Sequence, residues 1–321
     1  MNLDVPETVL EFAATARRAL ADDVALSRTR AAMDGDAEAR RSVARAVAAL
    51  GADDLDLTEL HDALAAAHLC MEVGRIGGLA PVAAQLTARR AGRPGLVQAA
   101  ASASRTLVDH ADLADALAVV TIDGAVHEVS VHRGADPHHL LAPFASVVDP
   151  GPAVGAGATD ATLWPFAETM AAFTVLGAVT AATDLSRTHL LQRHQFGKPL
   201  ASFQALQHRF ADCQLAVHGL YELAHYTLWA LHHRPARALA DALALRVAAL
   251  ETSRSVFRHA HQIHAAIGLC DEHALSLLSR SVQVHQYVPM PIDATVEALA
   301  VRLPTDGFDA LFPIGPVGAV A

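Results

Sequence analysis

The sequence predicts a mainly α-helical protein with a small β insert, and three observations carry that prediction. Apolar residues recur at helical spacing over most of the 321 residues. The hydrophobic share, 52%, owes much to alanine and leucine, which lose little conformational freedom in a helix. Short β-branched runs are confined to one stretch near the middle of the chain.

The elements follow in order. Between Glu7 and Leu50 the apolar positions Leu10, Ala13, Leu20, Val24, Val43, Val47 and Leu50 keep a helical period broken near Gly35, which predicts two helices. A third is expected from near Leu57, capped by the Thr58 side chain, to the pair Gly77-Gly78. Pro81 to Ala91 and Leu96 to Leu107 read as two more, separated by Gly92-Arg93-Pro94-Gly95. Val119 to Ile122 and Val126 to Val131 then form a hairpin through Asp123-Gly124, a dipeptide suited to the positive φ of a type I′ turn. One more strand is expected near Ser146 to Val148, and Asp149 to Gly157 reads as a linker.

Beyond it, Leu163, Phe166, Met170, Phe173 and Leu176 mark one face of a long helix. Leu206 to Leu228 and Leu239 to about His264 mark two others, and a fourth runs from about Glu272 to Val284. Long helices joined by short loops pack as a bundle. The expected division is a helical domain over 1–112, a truncated β region and linker over 113–158, a four-helix bundle over 159–302 and an irregular tail over 303–321.

Composition narrows function. The net charge of -10 comes with no basic stripe for a phosphodiester backbone, which argues against nucleic-acid binding. Cys70, Cys213 and Cys270 lie far apart in apolar stretches and suggest a reducing compartment. The start of the chain has acids where a secretory signal needs a basic region, and no window approaches an uninterrupted apolar span, so no membrane is expected and a cytoplasmic location is.

The segment Arg193-His-Gln-Phe-Gly-Lys-Pro-Leu-Ala-Ser-Phe-Gln204, followed by Ala-Leu-Gln-His-Arg-Phe-Ala-Asp212, carries the chemistry. An arginine at a helix end offers a planar fork of donors matched to a pyrophosphate, and Gly197 permits a tight turn just beyond it. The order and spacing strongly resemble the acyl-CoA dehydrogenase motif R-x-x-F-G-x-P-x-x-x-F-Q-x-x-x-H-x-x-A-D. A second segment, Gln262-Ile-His-Ala-Ala-Ile-Gly268 with Glu272-His273, is similar to that family's Q-x-x-G-G-x-G-x-x-x-E-H. Weaker similarity reaches back to Leu57 through Glu72-Val-Gly-Arg-Ile-Gly.

The resemblance implies an acyl-CoA dehydrogenase-like fold: an N-terminal helical domain, a reduced β insert and a C-terminal four-helix bundle. It implies FAD, with Arg193, Phe196, Gly197, Gln204, Gln262 and Gly268 as cofactor-binding residues serving the adenosine and pyrophosphate end of a flavin shared across a subunit interface. It further implies an acyl-CoA substrate and electron-transfer flavoprotein as electron acceptor. For Gln262 plain packing stands beside flavin contact, because Ala265 and Ala266 replace the family's glycine pair.

Two expected features are absent from the sequence. No T-E-P-x-A-G-S-like loop or Trp-Ile-Thr stretch that would hold a flavin ring is found between Asp115 and Asp149, and His285-Gln-Tyr-Val-Pro-Met-Pro stands where many members carry a catalytic Tyr-Glu-Gly-Thr. A second group of members places its glutamate at the start of the first bundle helix, where this chain has Glu168. Glu168 is therefore the candidate base for α-proton removal from an acyl-CoA thioester, with helix capping as the other reading. The pattern resembles the short subunits of heteromeric actinobacterial acyl-CoA dehydrogenases that act on sterol side chains or other bulky CoA esters. The expected partner is a longer acyl-CoA dehydrogenase subunit or a second copy. The alternative is a catalytically inactive paralogue that supports or regulates such a partner without flavin.

The 19 histidines, with Glu222-x-x-His225, raise a carboxylate-bridged di-iron site. No second Glu-x-x-His lies in the bundle helices, and His259, His261 and His264 on neighbouring turns suit solvated or core histidines better, so no metal is expected.

Overall fold

A computed structural model describes residues 4–21, 25–130, 144–153 and 160–306. The N-terminal region holds α1 (Glu7–Leu20), α2 (Ala25–Met33), α3 (Ala37–Ala48), α4 (Leu60–Arg75) and α5 (Val82–Arg90). Where two helices were expected before Leu50 there are three, with α1 ending at Leu20 and α2 starting at Ala25 where apolar spacing gives no punctuation. Helix α4 begins at Leu60 without a side-chain cap. Thr58 instead bonds its backbone N–H and hydroxyl to Asp56 in a turn ahead of the helix.

Leu96 to Leu107, read as helix, holds one strand, a bend and the start of a second strand. The sheet runs β1 (Leu96–Ala100), β3 (Leu117–Thr121), β4 (Val126–Ser130), β5 (Ala145–Ala153), β2 (Thr106–Asp109), with β1 parallel to β3 and the other pairs antiparallel. Alanine-rich β1 has weak β propensity, but pairing along β3 buries both its faces, and tertiary context wins. The expected hairpin forms through Asp123-Gly124, and β5 runs on through Asp149–Ala153 where a linker was read. Residues 154–157 of that reading lie outside the described residues.

The bundle consists of α6 (Leu163–Gln192), α7 (Gln204–His233), α8 (Ala238–His264) and α9 (Ala274–Ser281). The fourth helix is shorter than its apolar pattern suggested, and a further helix, α10 (Ile292–Asp306), packs on α8. That helix extends into the expected tail, whose remainder from 307 lies outside the described residues. Helix α6 is the axis of the molecule: it packs against α4, α7 and α8 and is buried along most of its length. It is long and apolar enough to cross a membrane, yet 78% of its apolar window is buried inside the protein, as expected of a core helix.

Candidate functional site

A cleft partly open to solvent lies where the sheet, the ends of α4 and α5, and α6 meet the segment Ser281–Val288. Glu168 lines it. The capping reading does not hold, since Glu168 stands five residues inside α6 and is 5% exposed. Its Oε2 accepts a hydrogen bond of 2.9 Å from Nη1 of Arg246, itself buried. Arg246 also donates from Nη2 to the His285 and Met290 carbonyls and from Nε to the Thr295 hydroxyl. Burial pushes the Glu168 carboxyl above the ordinary carboxylate range, against the opposing pull of Arg246.

Sequence reasoning singled out neither Arg246 nor the groups on the opposite flank of the cleft, Asp109 and His110. His285 was noticed only as the place where an acid is missing, yet it lines the same cleft. Burial holds its imidazole down at about 4, with Asp109 pulling the other way. His110, in a left-handed conformation with φ 55, donates from Nε2 to the Gly78 carbonyl at 2.9 Å and stacks on Phe144. Beside it Arg40 closes an ion pair with Asp112. One signal was readable: Arg246 falls three residues after Leu243 and four before Leu250, so it puts a charge on the buried stripe of α8.

The motif residues gather at the far end of the bundle. After α6 the chain makes a two-residue hairpin, His194–Gln195 against Lys198–Pro199, turned by Phe196 (φ 53) and Gly197 (φ 79). Positive φ at both central positions requires glycine at one and strains the other. The Phe196 ring that results is 90% exposed and meets Phe203 edge-on, while Lys198 covers the Phe203 face. Arg193, Gln204 and Gln262 are exposed, and Arg193 pairs with no carboxylate among the described residues. An unpaired guanidinium with neighbouring amides on an open surface is a donor set that fits a diphosphate. Leu191, Ile267 and Leu269 are each at least half exposed at this same end, and Leu215, further along α7, is 73% exposed, which leaves apolar side chains there without cover.

Gln262 joins this end through the rings beside it, since His189 of α6 stacks on His264 of α8 at 4.5 Å. Gly268 is buried, and an added Cβ would lie 2.8 Å from the Cβ of His264, so packing already demands glycine there. The alanine standing for the first of the family's glycine pair keeps a glycine conformation: Ala265 has φ 54 and ψ -139. Such a backbone costs a side-chain-bearing residue about 1–3 kcal/mol. Ala265→Gly is expected to raise stability by about 1 kcal/mol, read as a higher denaturation midpoint at unchanged slope. A midpoint that stays put would mean that the turn is not strained.

Among the described residues no group of three or more metal-ligating side chains converges. His225 faces His68 of α4, Nε2 to Nε2 at 3.1 Å, with both rings buried, and burial lowers His68 to about 4. Glu222 points outward.

Residues 166–288 match the acyl-CoA dehydrogenase C-terminal domain family. Acyl-CoA dehydrogenase IpdE2 of Mycolicibacterium smegmatis is 34% identical over 102 residues, which are 32% of this chain and 31% of that relative. The ChsE4-ChsE5 complex from Mycobacterium tuberculosis superposes with a TM-score of 0.75 at 16% identity, covering 95% of this chain and 99% of that one. A steroid acyl-CoA dehydrogenase variant, Tcur3481-Tcur3483, gives 0.74 at 19% identity, with 94% and 99% covered. Residues 166–288 are therefore similar to the acyl-CoA dehydrogenase C-terminal domain, and the chain shares the fold of these solved structures over nearly its whole length.

Proposed function

We propose that this chain is a subunit of an FAD-dependent acyl-CoA dehydrogenase that performs α,β-dehydrogenation of an acyl-CoA thioester in the cytoplasm, in the catabolism of lipids or sterol side chains. The observation that carries the reading is Glu168, a buried carboxylate of raised proton affinity on the wall of the cleft. Such a group takes an α-proton readily once substrate displaces the remaining water. FAD, when bound, supplies the hydride acceptor for the β-carbon. The far end of the bundle suits the cofactor. There Arg193, Phe196, Gly197 and Gln204, with Gln262 beside them, would face the adenosine and pyrophosphate of a flavin shared with a neighbouring subunit, while Gly268 holds the turn under Gln262. The uncovered apolar surface at this end suits a longer acyl-CoA dehydrogenase subunit or a second copy, and electron-transfer flavoprotein would take the electrons.

The Glu168–Arg246 ion pair favours a second reading, in which the carboxylate is structural and the chain an inactive partner without flavin. Coexpression with a longer acyl-CoA dehydrogenase homologue encoded beside it separates the two. The first reading expects a yellow complex that bleaches with acyl-CoA, and a Glu168→Gln complex that stays yellow while turnover falls about 10²- to 10⁴-fold. A colourless complex would discard the flavin role, and undiminished turnover in the variant would remove Glu168 from the chemistry.

A further inference from the structure

Asp109 carries a carboxylate that the mechanism above leaves unused. It stands at the end of β2 on the sheet wall of the cleft, and Gln98 fixes its backbone from both sides. The Gln98 amide oxygen accepts from the Asp109 N–H at 2.8 Å, and its amide nitrogen donates to the Asp109 carbonyl. The side chain so held is poorly served. Its Oδ1 is buried and accepts no hydrogen bond among the described residues. Its Oδ2 lies 3.6 Å from Nε2 of His110, whose proton goes to the Gly78 carbonyl. A dry carboxylate oxygen without a donor is rare in folded proteins, and it disfavours any ligand that removes the last water without offering a donor in exchange.

The rest of the lining sharpens the choice. Most of it is small and apolar, including Ala80, Ala83, Ala84, Val97, Ala99 and Val284, and the hydroxyls of Thr87, Thr174 and Ser281 are spent on the carbonyls of Ala83, Met170 and Leu278. His285 lines the cleft too but gives Asp109 Oδ1 no hydrogen bond, so that oxygen is left for a donor on the ligand. The cleft is also bounded along the helices. It ends near Gly78 and Thr174, and beyond that point α4 and α6 touch backbone to backbone: a Cβ on Gly74 would lie 2.0 Å from the Thr174 carbonyl oxygen. No long chain can pass between helices in such contact.

We infer that Asp109 is a specificity residue that accepts a hydrogen bond from a hydroxyl on a compact acyl group, so that the cleft prefers a hydroxylated short-chain acyl-CoA to its unsubstituted counterpart. The inference rests on the dehydrogenase reading of the same cleft. It is tested by titrating the full chain, with any subunit that copurifies, against butyryl-CoA and 3-hydroxybutyryl-CoA in a calorimeter. The hydroxylated ester is expected to bind about tenfold more tightly, because a site built to bond a hydroxyl penalises the analogue that lacks one. Asp109→Asn, which keeps the shape and replaces an acceptor by a donor, is expected to abolish that preference while butyryl-CoA still binds. Equal affinities for the two esters in the unaltered protein overturn the inference and leave the dehydrogenase reading standing; no binding of either ester overturns both. A flavin N–H could satisfy the same oxygen, so FAD is titrated in parallel. If Asp109→Asn weakens FAD and leaves the ester preference unchanged, the donor is the flavin and the substrate assignment is wrong.

Discussion

Gly177→Ala is expected to cost roughly 4 kcal/mol of stability, at the upper end of what overpacking a core does, and to lower the melting temperature by about 10 °C. Gly177 lies on α6 where that helix crosses α4, and an ideal Cβ there would sit 1.9 Å from the Met71 carbonyl oxygen and 3.0 Å from the Arg75 amide nitrogen. Both obstacles are backbone, so no rotamer change can make room. The helices would have to separate, and the pair forms one of the most extensive contacts in the molecule. Because Gly74 approaches Thr174 in the same way from the other side, parting the helices would disturb Thr174 and Gly78 at the end of the cleft as well. Thermal unfolding with and without a bound CoA ester checks this. A loss below about 1 kcal/mol would show that the crossing is not tight.

The parts of the fold that the sequence made plain are those in which local pattern and tertiary demand agree. Leu163, Phe166, Met170, Phe173 and Leu176 mark a single helical face, and all are buried on α6. Asp123-Gly124 turns the hairpin as its chemistry requires. Leu96 to Leu107 misled because its alanines favour helix locally, whereas its partner strand is twenty-one residues further on, at Leu117, and leaves no trace in a short window. The candidate site divided along the same line. Arg193 to Gln204 could be read because consecutive residues form one hairpin and one helix start. The cleft could not: Asp109, Glu168, Arg246 and His285 come from four separate elements, and only packing brings them together. The first half of α7 shows the converse: its apolar spacing signals a helix, but gives no hint that Leu206, Phe210 and Val217 are only half-buried and that Leu215, off that stripe, is 73% exposed.

Arg246→Met should be the most damaging single change to the cleft, costing about 3–5 kcal/mol, because it strands a carboxylate in a dry site. Replacing an ion pair as a whole by apolar groups can be neutral, whereas removing one partner leaves the other charge without compensation. Here the arginine has a second duty. Its bonds to the carbonyls of His285 and Met290 and to the Thr295 hydroxyl tie the chain between α9 and α10, and the first turn of α10, to α8. The loss should therefore appear both in global stability and as faster proteolysis between residues 285 and 295. A cycle with Glu168→Gln separates the two duties. If the stranded carboxylate dominates, the double variant recovers about 1–3 kcal/mol relative to the sum of the single losses. If the three acceptors dominate, the losses add and proteolysis stays fast in both arginine variants. Full stability in Arg246→Met would refute both accounts, and with them the idea that this pair holds Glu168 at the wall of the cleft.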